Sequence, residues 1–78
     1  MEKFVKDWTK KAQKLLVGRK VTNVRYATRE EQGALGIYSR PIVIEFGGIA
    51  IFPMCDAEGN DAGVLYTTNH NLPIMPNI

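Results

Sequence analysis

The first seventeen residues place apolar side chains at a helical period. Phe4, Val5, Trp8, Ala12, Leu15 and Leu16 recur three and four positions apart, which gathers them into one stripe on a helix. Lys3, Lys6, Lys10, Lys11 and Lys14 fall mostly on the opposite side. The spacing predicts a helix over 3–17. Gly18 follows the last apolar pair, where a left-handed residue commonly closes a helix, and Arg19 and Lys20 place cations near its negative end.

Beyond Lys20 the pattern turns to alternation. VTNVRYAT (21–28) is rich in β-formers, with Val24 and Tyr26 on one face and Val21, Asn23 and Arg25 on the other. Thr28 then stands three residues before Glu31, the spacing of a capping box, and predicts a short helix or single turn over 29–34 that Gly33 weakens and Gly36 stops. IVIEF (42–46) and IAIFPM (49–54) flank Gly47–Gly48, a two-residue loop suited to a primed turn. Ile42, Ile44 and Phe46 face one way, Val43 and Glu45 the other. Pro53 cannot donate to a ladder and marks its strand as an edge or a bulge. CDAEGNDAG (55–63) reads as a polar turn and VLYTT (64–68) as a returning strand. The end of the chain, 69–78, holds two prolines among Leu72, Ile74, Met75 and Ile78, too apolar to float in water, and is expected to pack on the body or on a neighbouring chain.

These elements predict one α+β domain over 1–78: a helix at 3–17, a β-rich unit at 19–68 and an apolar, proline-containing tail at 69–78. The amphipathic helix is expected to pack on a small, strongly curved antiparallel sheet or SH3-like barrel, with an open sheet crossed by the helix as the alternative. Seventy-eight residues make a small core, for which self-association would add buried area, so a homo-oligomer, first of all a dimer, is expected. The apolar tail, stiffened by its prolines, is the segment expected to cross onto the partner, the alternative being that it folds back as the last edge of its own barrel within a monomer.

Composition narrows the setting. At 45% apolar and 23% charged residues the chain is that of a folded protein and not a disordered one. A single cysteine, Cys55, excludes an internal disulfide framework and a multi-cysteine zinc site, and fits a reducing compartment. No apolar run is long enough to span a membrane and the charged start lacks a signal-peptide pattern, so the cytoplasm is the expected location.

The spacing of VGRKVTNVRY, EEQGALGIYSRPIVIEF and FPMCDAEGNDAGVLY resembles short uncharacterised proteins of phages and bacteria, which pair a "GRKI..VRY" strand and an "RP.VI" strand with a "DDEGN..G" turn. The resemblance covers about residues 17–66. It implies a shared small fold, and a phage accessory protein fits it, but it supplies no activity and no catalytic residues.

Three constellations could carry chemistry. Asp56, Glu58, Asn60 and Asp61 put oxygen donors at alternate positions, as a Ca²⁺ loop does, yet Asp61 stands where an EF-hand needs glycine and Thr67 where it needs glutamate. A polar turn with Asx-type hydrogen bonds from Asp56 and Asn60 accounts for the same residues. Paired carboxylates for a metal-assisted hydrolase are the enzymatic alternative, weakened by the absence of apolar surroundings that would raise a pKa. His70 and Cys55 lack an orienting third group, and no catalytic residue or cofactor is assigned. Charge gives the second lead: residues 1–20 hold seven Lys/Arg against Glu2 and Asp7, a net of +5, whereas 21–78 hold three Arg against six acids, a net of −3. Lys10 and Lys14 on such a helix can face nucleic acid, or simply water. Third, Arg25, Tyr26, Tyr38 and Arg40 offer guanidinium forks and aromatic faces suited to a nucleotide or stacked bases, unless the arginines pair with Glu30, Glu31 or Glu45. The sequence therefore predicts a non-enzymatic binding module with a protein or nucleic-acid partner.

Overall fold

The computed structural model of the chain describes residues 2–78. Its elements follow in the order α1 (Glu2–Leu16), β1 (Asn23–Tyr26), α2 (Arg29–Leu35), β2 (Ile42–Glu45), β3 (Ala50–Ile51), β4 (Leu65–Tyr66) and β5 (Ile74–Met75). The class is α+β, as the change of hydrophobic period predicts. α1 runs to Leu16, Gly18 takes φ 84°, and the Arg19 side chain donates from Nε to the Leu15 carbonyl, one of the orphan acceptors at the helix end.

The strands make two antiparallel ladders. β1, β2 and β3 pair in that order, and β4 pairs with β5. The sheet is open: among the described residues β1 and β3 each pair only with β2, so no SH3-like closure forms. Register places Val24 opposite Ile44, Arg25 opposite Val43 and Tyr26 opposite Ile42, which keeps the predicted division of faces. Gly47 and Gly48 both have positive φ, 62° and 99°, as a type I′ turn requires, and the Phe46 N–H donates to the Ile49 carbonyl at 2.7 Å. β3 ends at Ile51, short of Pro53, on the edge of its sheet.

α2 is the predicted capped helix, one residue longer than its pattern and continuous through Gly33. Thr28 Oγ1 accepts from the Glu31 N–H at 3.1 Å while Glu31 Oε1 accepts from the Thr28 N–H at 2.8 Å, and Gly36 closes it at φ 69°. The core lies where the end of β1, the start of β2 and the 36–41 connection converge. Ala27, Ile37, Pro41, Ile42, Val43 and Ala62 are buried there, mostly small side chains in a small volume.

Besides the barrel closure, two expectations fail. First, the α1 stripe is not core. No residue of α1 is buried, Phe4 and Trp8 are 63% and 57% exposed, and only Leu16 is half-buried. The β-rich unit closes its core with its own residues and leaves the helix extended on the 17–22 connection. A helical period shows that a stripe needs a counter-surface, without saying which molecule provides it. Second, the tail does not project towards a partner. β5 pairs with β4 in the register Leu65–Met75 and Tyr66–Ile74, and Ile78 exchanges two backbone hydrogen bonds with Arg40 at 2.6 and 2.7 Å. Prolines at 73 and 76 flank the strand and leave its own N–H groups free to pair.

The molecule is consequently open. A folded chain of 8.7 kDa is expected to expose about 4,700 Å² and a 78-residue domain to have a radius of gyration of about 11.5 Å. This one exposes 6253 Å² with a radius of gyration of 13.9 Å.

Candidate interaction surfaces

α1 presents the clearest unpartnered surface. Phe4 and Trp8, one turn apart, meet with ring centroids 6.1 Å apart at 60°, and the Lys11 ammonium lies 5.0 Å from the Trp8 ring. These local contacts hold the aromatic end of the stripe together but bury little of it. A fifteen-residue helix without tertiary packing is marginal in water. Lysines at 6, 10 and 14 stack at i, i+4 and repel one another, and none has a carboxylate within ion-pair distance among the described residues.

A second surface lies on the body. Ala27, Ala34, Leu35, Pro41, Val43 and Phe52 line an apolar groove of about 250 Å³ between α2 and one face of the sheet. Period-2 alternation places Ala27 and Arg25 on that face of β1, with Val43 beside them on β2, and the short side chains of Ala27 and Ala34 leave it hollow. Leu35 and Phe52 stand at its mouth, partly exposed.

One wall of the groove is electrostatic. Arg25 forms a bidentate pair with Glu31, Nη1 to Oε1 at 2.7 Å and Nη2 to Oε2 at 2.9 Å, and its Nε donates to Glu45 at 3.1 Å. Glu31 thus caps α2 and ties it to β1 with the same carboxylate. The Arg25 guanidinium first and the Thr28 N–H second pull the Glu31 carboxyl from 4.5 down to about 2, and the two carboxylates raise Arg25 further above its already high value.

The predicted site residues are distributed rather than gathered. Arg25 is committed to Glu31 and Glu45, the pairing that competes with ligand binding. Tyr26, its neighbour on β1, faces the opposite side of the sheet and is half-buried. Tyr38 is 87% exposed, with its backbone N–H on Asp61 Oδ1 and its carbonyl on the Gln32 side chain. Arg40 donates from Nε to the Ala27 carbonyl at 2.6 Å and exchanges backbone bonds with Ile78. Lys10 and Lys14 project from α1, exposed.

The acidic turn is organised by its own backbone. Asp56 Oδ1 accepts from the Glu58 and Asn60 N–H groups and Oδ2 from the Asn60 side chain at 2.6 Å, with Gly59 at φ 73°. The Asn60 side chain, then its N–H, lowers the Asp56 pKa. Asp61 Oδ1 accepts from Ala62 and Tyr38 N–H groups instead of turning towards Asp56. This is the Asx-turn arrangement, and among the described residues no three His, Cys, Asp or Glu side chains converge on one point. Cys55 is exposed, and no helix of the described residues is long and apolar enough to cross a membrane.

The groove has no signature in the sequence, because its walls come from residues 25 to 52 and look like ordinary strand and helix positions taken singly. The one local signal is a pair of alanines, 27 and 34, where larger side chains would have filled the space. Comparison with known protein families, curated proteins and solved structures finds no match for this chain.

Proposed function

We propose that the protein is a non-enzymatic interaction module whose recognition element is the apolar face of α1. The observation that carries this reading is the exposure of the stripe from Phe4 to Leu15 on a helix that is marginal alone. Docking that face would bury Phe4, Val5, Trp8 and Leu15 together and supply the tertiary contact the helix lacks. The module would work in the cytoplasm, where Cys55 stays reduced, and a phage accessory protein that engages another macromolecule fits such a design.

The test compares wild type with a Phe4→Ser/Trp8→Ser double variant. Native mass spectrometry of the wild type should show a species heavier than one chain, and the double variant one chain alone. The variant's melting midpoint, read at a dilution where the wild type is also a single chain, should match the wild type. Loss of the folded β-unit in the variant would instead make the stripe core and end this reading.

A second reading rests on the other face of the same helix. Lys3, Lys6, Lys10 and Lys14 share a face, none of them within ion-pair distance of a carboxylate among the described residues, and a polyanion would relieve their mutual repulsion. Arg25 adds nothing to it, since its guanidinium is held by two carboxylates. Retardation of mixed oligonucleotides that weakens steeply between 50 and 200 mM salt would support nucleic-acid binding. Absence of retardation at the lower salt would exclude it.

A further inference from the structure

We infer that the occupant of the α2 groove is α1 of a second copy of the chain, exchanged reciprocally in a two-fold dimer. The inference rests on the reading of α1 as a docking face and names its partner.

Area is the first argument. The chain exposes on the order of 1,500 Å² more than a folded monomer of its mass should. Removing that excess from both copies would bury about 3,000 Å², within the range of obligate homodimers. A reciprocal exchange reaches such an area because each copy loses two surfaces, its stripe and its groove.

Shape is the second. A dry apolar cavity of about 150 Å³ takes one benzene ring. The groove, at about 250 Å³, is large enough for a bulkier ring, and apart from the Arg25–Glu31 wall its lining is aliphatic and aromatic. Phe4 and Trp8, one turn apart on α1, are the largest exposed apolar side chains of that helix and require such a receptor.

Charge chooses among the ways two copies could meet. Setting α1 against α1 would bring two +5 segments together. Setting α1 on the partner's body brings +5 towards −3, and Arg25, Glu31 and Glu45 together leave one net negative charge beside the groove. An anionic membrane would satisfy the stripe and the lysines, yet leave the groove and the exposed Leu35 and Phe52 in water. A second copy covers both surfaces with one contact.

Trp8, the sole tryptophan, reports on the exchange without a label. Light scattering and Trp8 emission are followed together from micromolar to nanomolar wild-type protein. Expected are a two-chain mass with blue-shifted emission that give way together, on dilution, to one chain with the emission of exposed tryptophan. Trp8→Ala and, separately, Ala34→Arg, which blocks the groove with a helix-compatible side chain, should each weaken dimerisation at least tenfold. Mixing the two variants should restore a heterodimer, because one intact helix then meets one intact groove. A dimer that survives Ala34→Arg, or variants that do not complement, would overturn the exchange in favour of a helix-to-helix contact. A blue shift only with phosphatidylglycerol vesicles, on a single-chain protein, would overturn the second copy while sparing α1 as a docking face. A single chain whose emission is blue-shifted at every dilution would overturn both, since α1 would then close on its own body.

Discussion

Residues 23–45 and residues 2–16 obey local rules equally well and end in opposite states. In the first region each local device is tied to a distant one: the α2 capping box uses Glu31, Glu31 holds Arg25 on β1, and Arg25 holds Glu45 on β2. Beneath this network lie the buried side chains of Ala27, Ile42 and Val43. The second region has a cleaner amphipathic pattern, an aromatic pair, a cation over a ring and a left-handed glycine at its end, yet none of its residues is buried. Good local grammar makes an element; only contacts between elements make it part of a fold. Among the described residues the hydrogen bonds that tie the start of the chain to the body begin at Thr22, whose N–H donates to the Glu45 carbonyl at 2.7 Å and whose hydroxyl accepts from the Gly47 N–H.

The largest effect should therefore come from the body. Ile42, 5% exposed at the start of the central strand, sits in a core with few other large side chains. Ile42→Ala should cost about 2–5 kcal/mol, near the upper end because the surrounding core is too small to collapse around a void. Urea denaturation monitored by circular dichroism measures it. A loss below 1 kcal/mol would mean that the body is held by something other than this core.

An intermediate effect should appear in acid. With its folded pKa drawn from 4.5 to about 2 by Arg25 and the Thr28 N–H, Glu31 binds fewer protons in the folded chain than in the unfolded one across that interval. Its contribution is complete above 4.5, falls as the pH drops through the interval and is gone below about 2. Glu31→Gln should lower the melting midpoint at pH 7 and flatten its decline between pH 4.5 and 2. Parallel wild-type and variant curves across that interval would show that the carboxylate does not clamp α2 to the sheet.

What could be read from the sequence follows the same division. α2, the Gly47–Gly48 hairpin and the Gly18 stop were legible because their signals lie within a few residues: Thr28 before Glu31, two glycines between β-runs, a glycine after an apolar pair. The alternation along 23–26 was equally legible, and it already separates Arg25 from Tyr26. The tail is legible only as a segment that must pack, on its own body or on a neighbouring chain, because an extended apolar segment carries no mark of its partner, and here that partner is β4 of the same chain. The groove was invisible because it depends on which short side chains meet across α2, β1 and β2. The α1 stripe was correctly found and wrongly placed, since periodicity fixes the face that needs covering but not the molecule that covers it.

The smallest effect should be at Trp8, and it sharpens the comparison most. Read from sequence alone, Trp8→Ala belongs among core truncations that cost about 3–5 kcal/mol. The folded chain gives a different account. At 57% exposure the indole has water over most of its surface already, and its contacts with Phe4 and Lys11 are local to α1. Such side-chain pairs on a helix contribute only about 0.2–0.5 kcal/mol each, and they act on α1 rather than on the body. In single-chain protein at nanomolar concentration, Trp8→Ala should therefore leave the unfolding free energy of the β-unit unchanged within about 0.5 kcal/mol, read by hydrogen exchange at Val43 and Ile44. The substitution should be felt only at concentrations where the wild type associates, and there as a loss of the concentration dependence of melting. A cost of several kcal/mol in the dilute single chain would return α1 to the core and erase the distinction between the two regions.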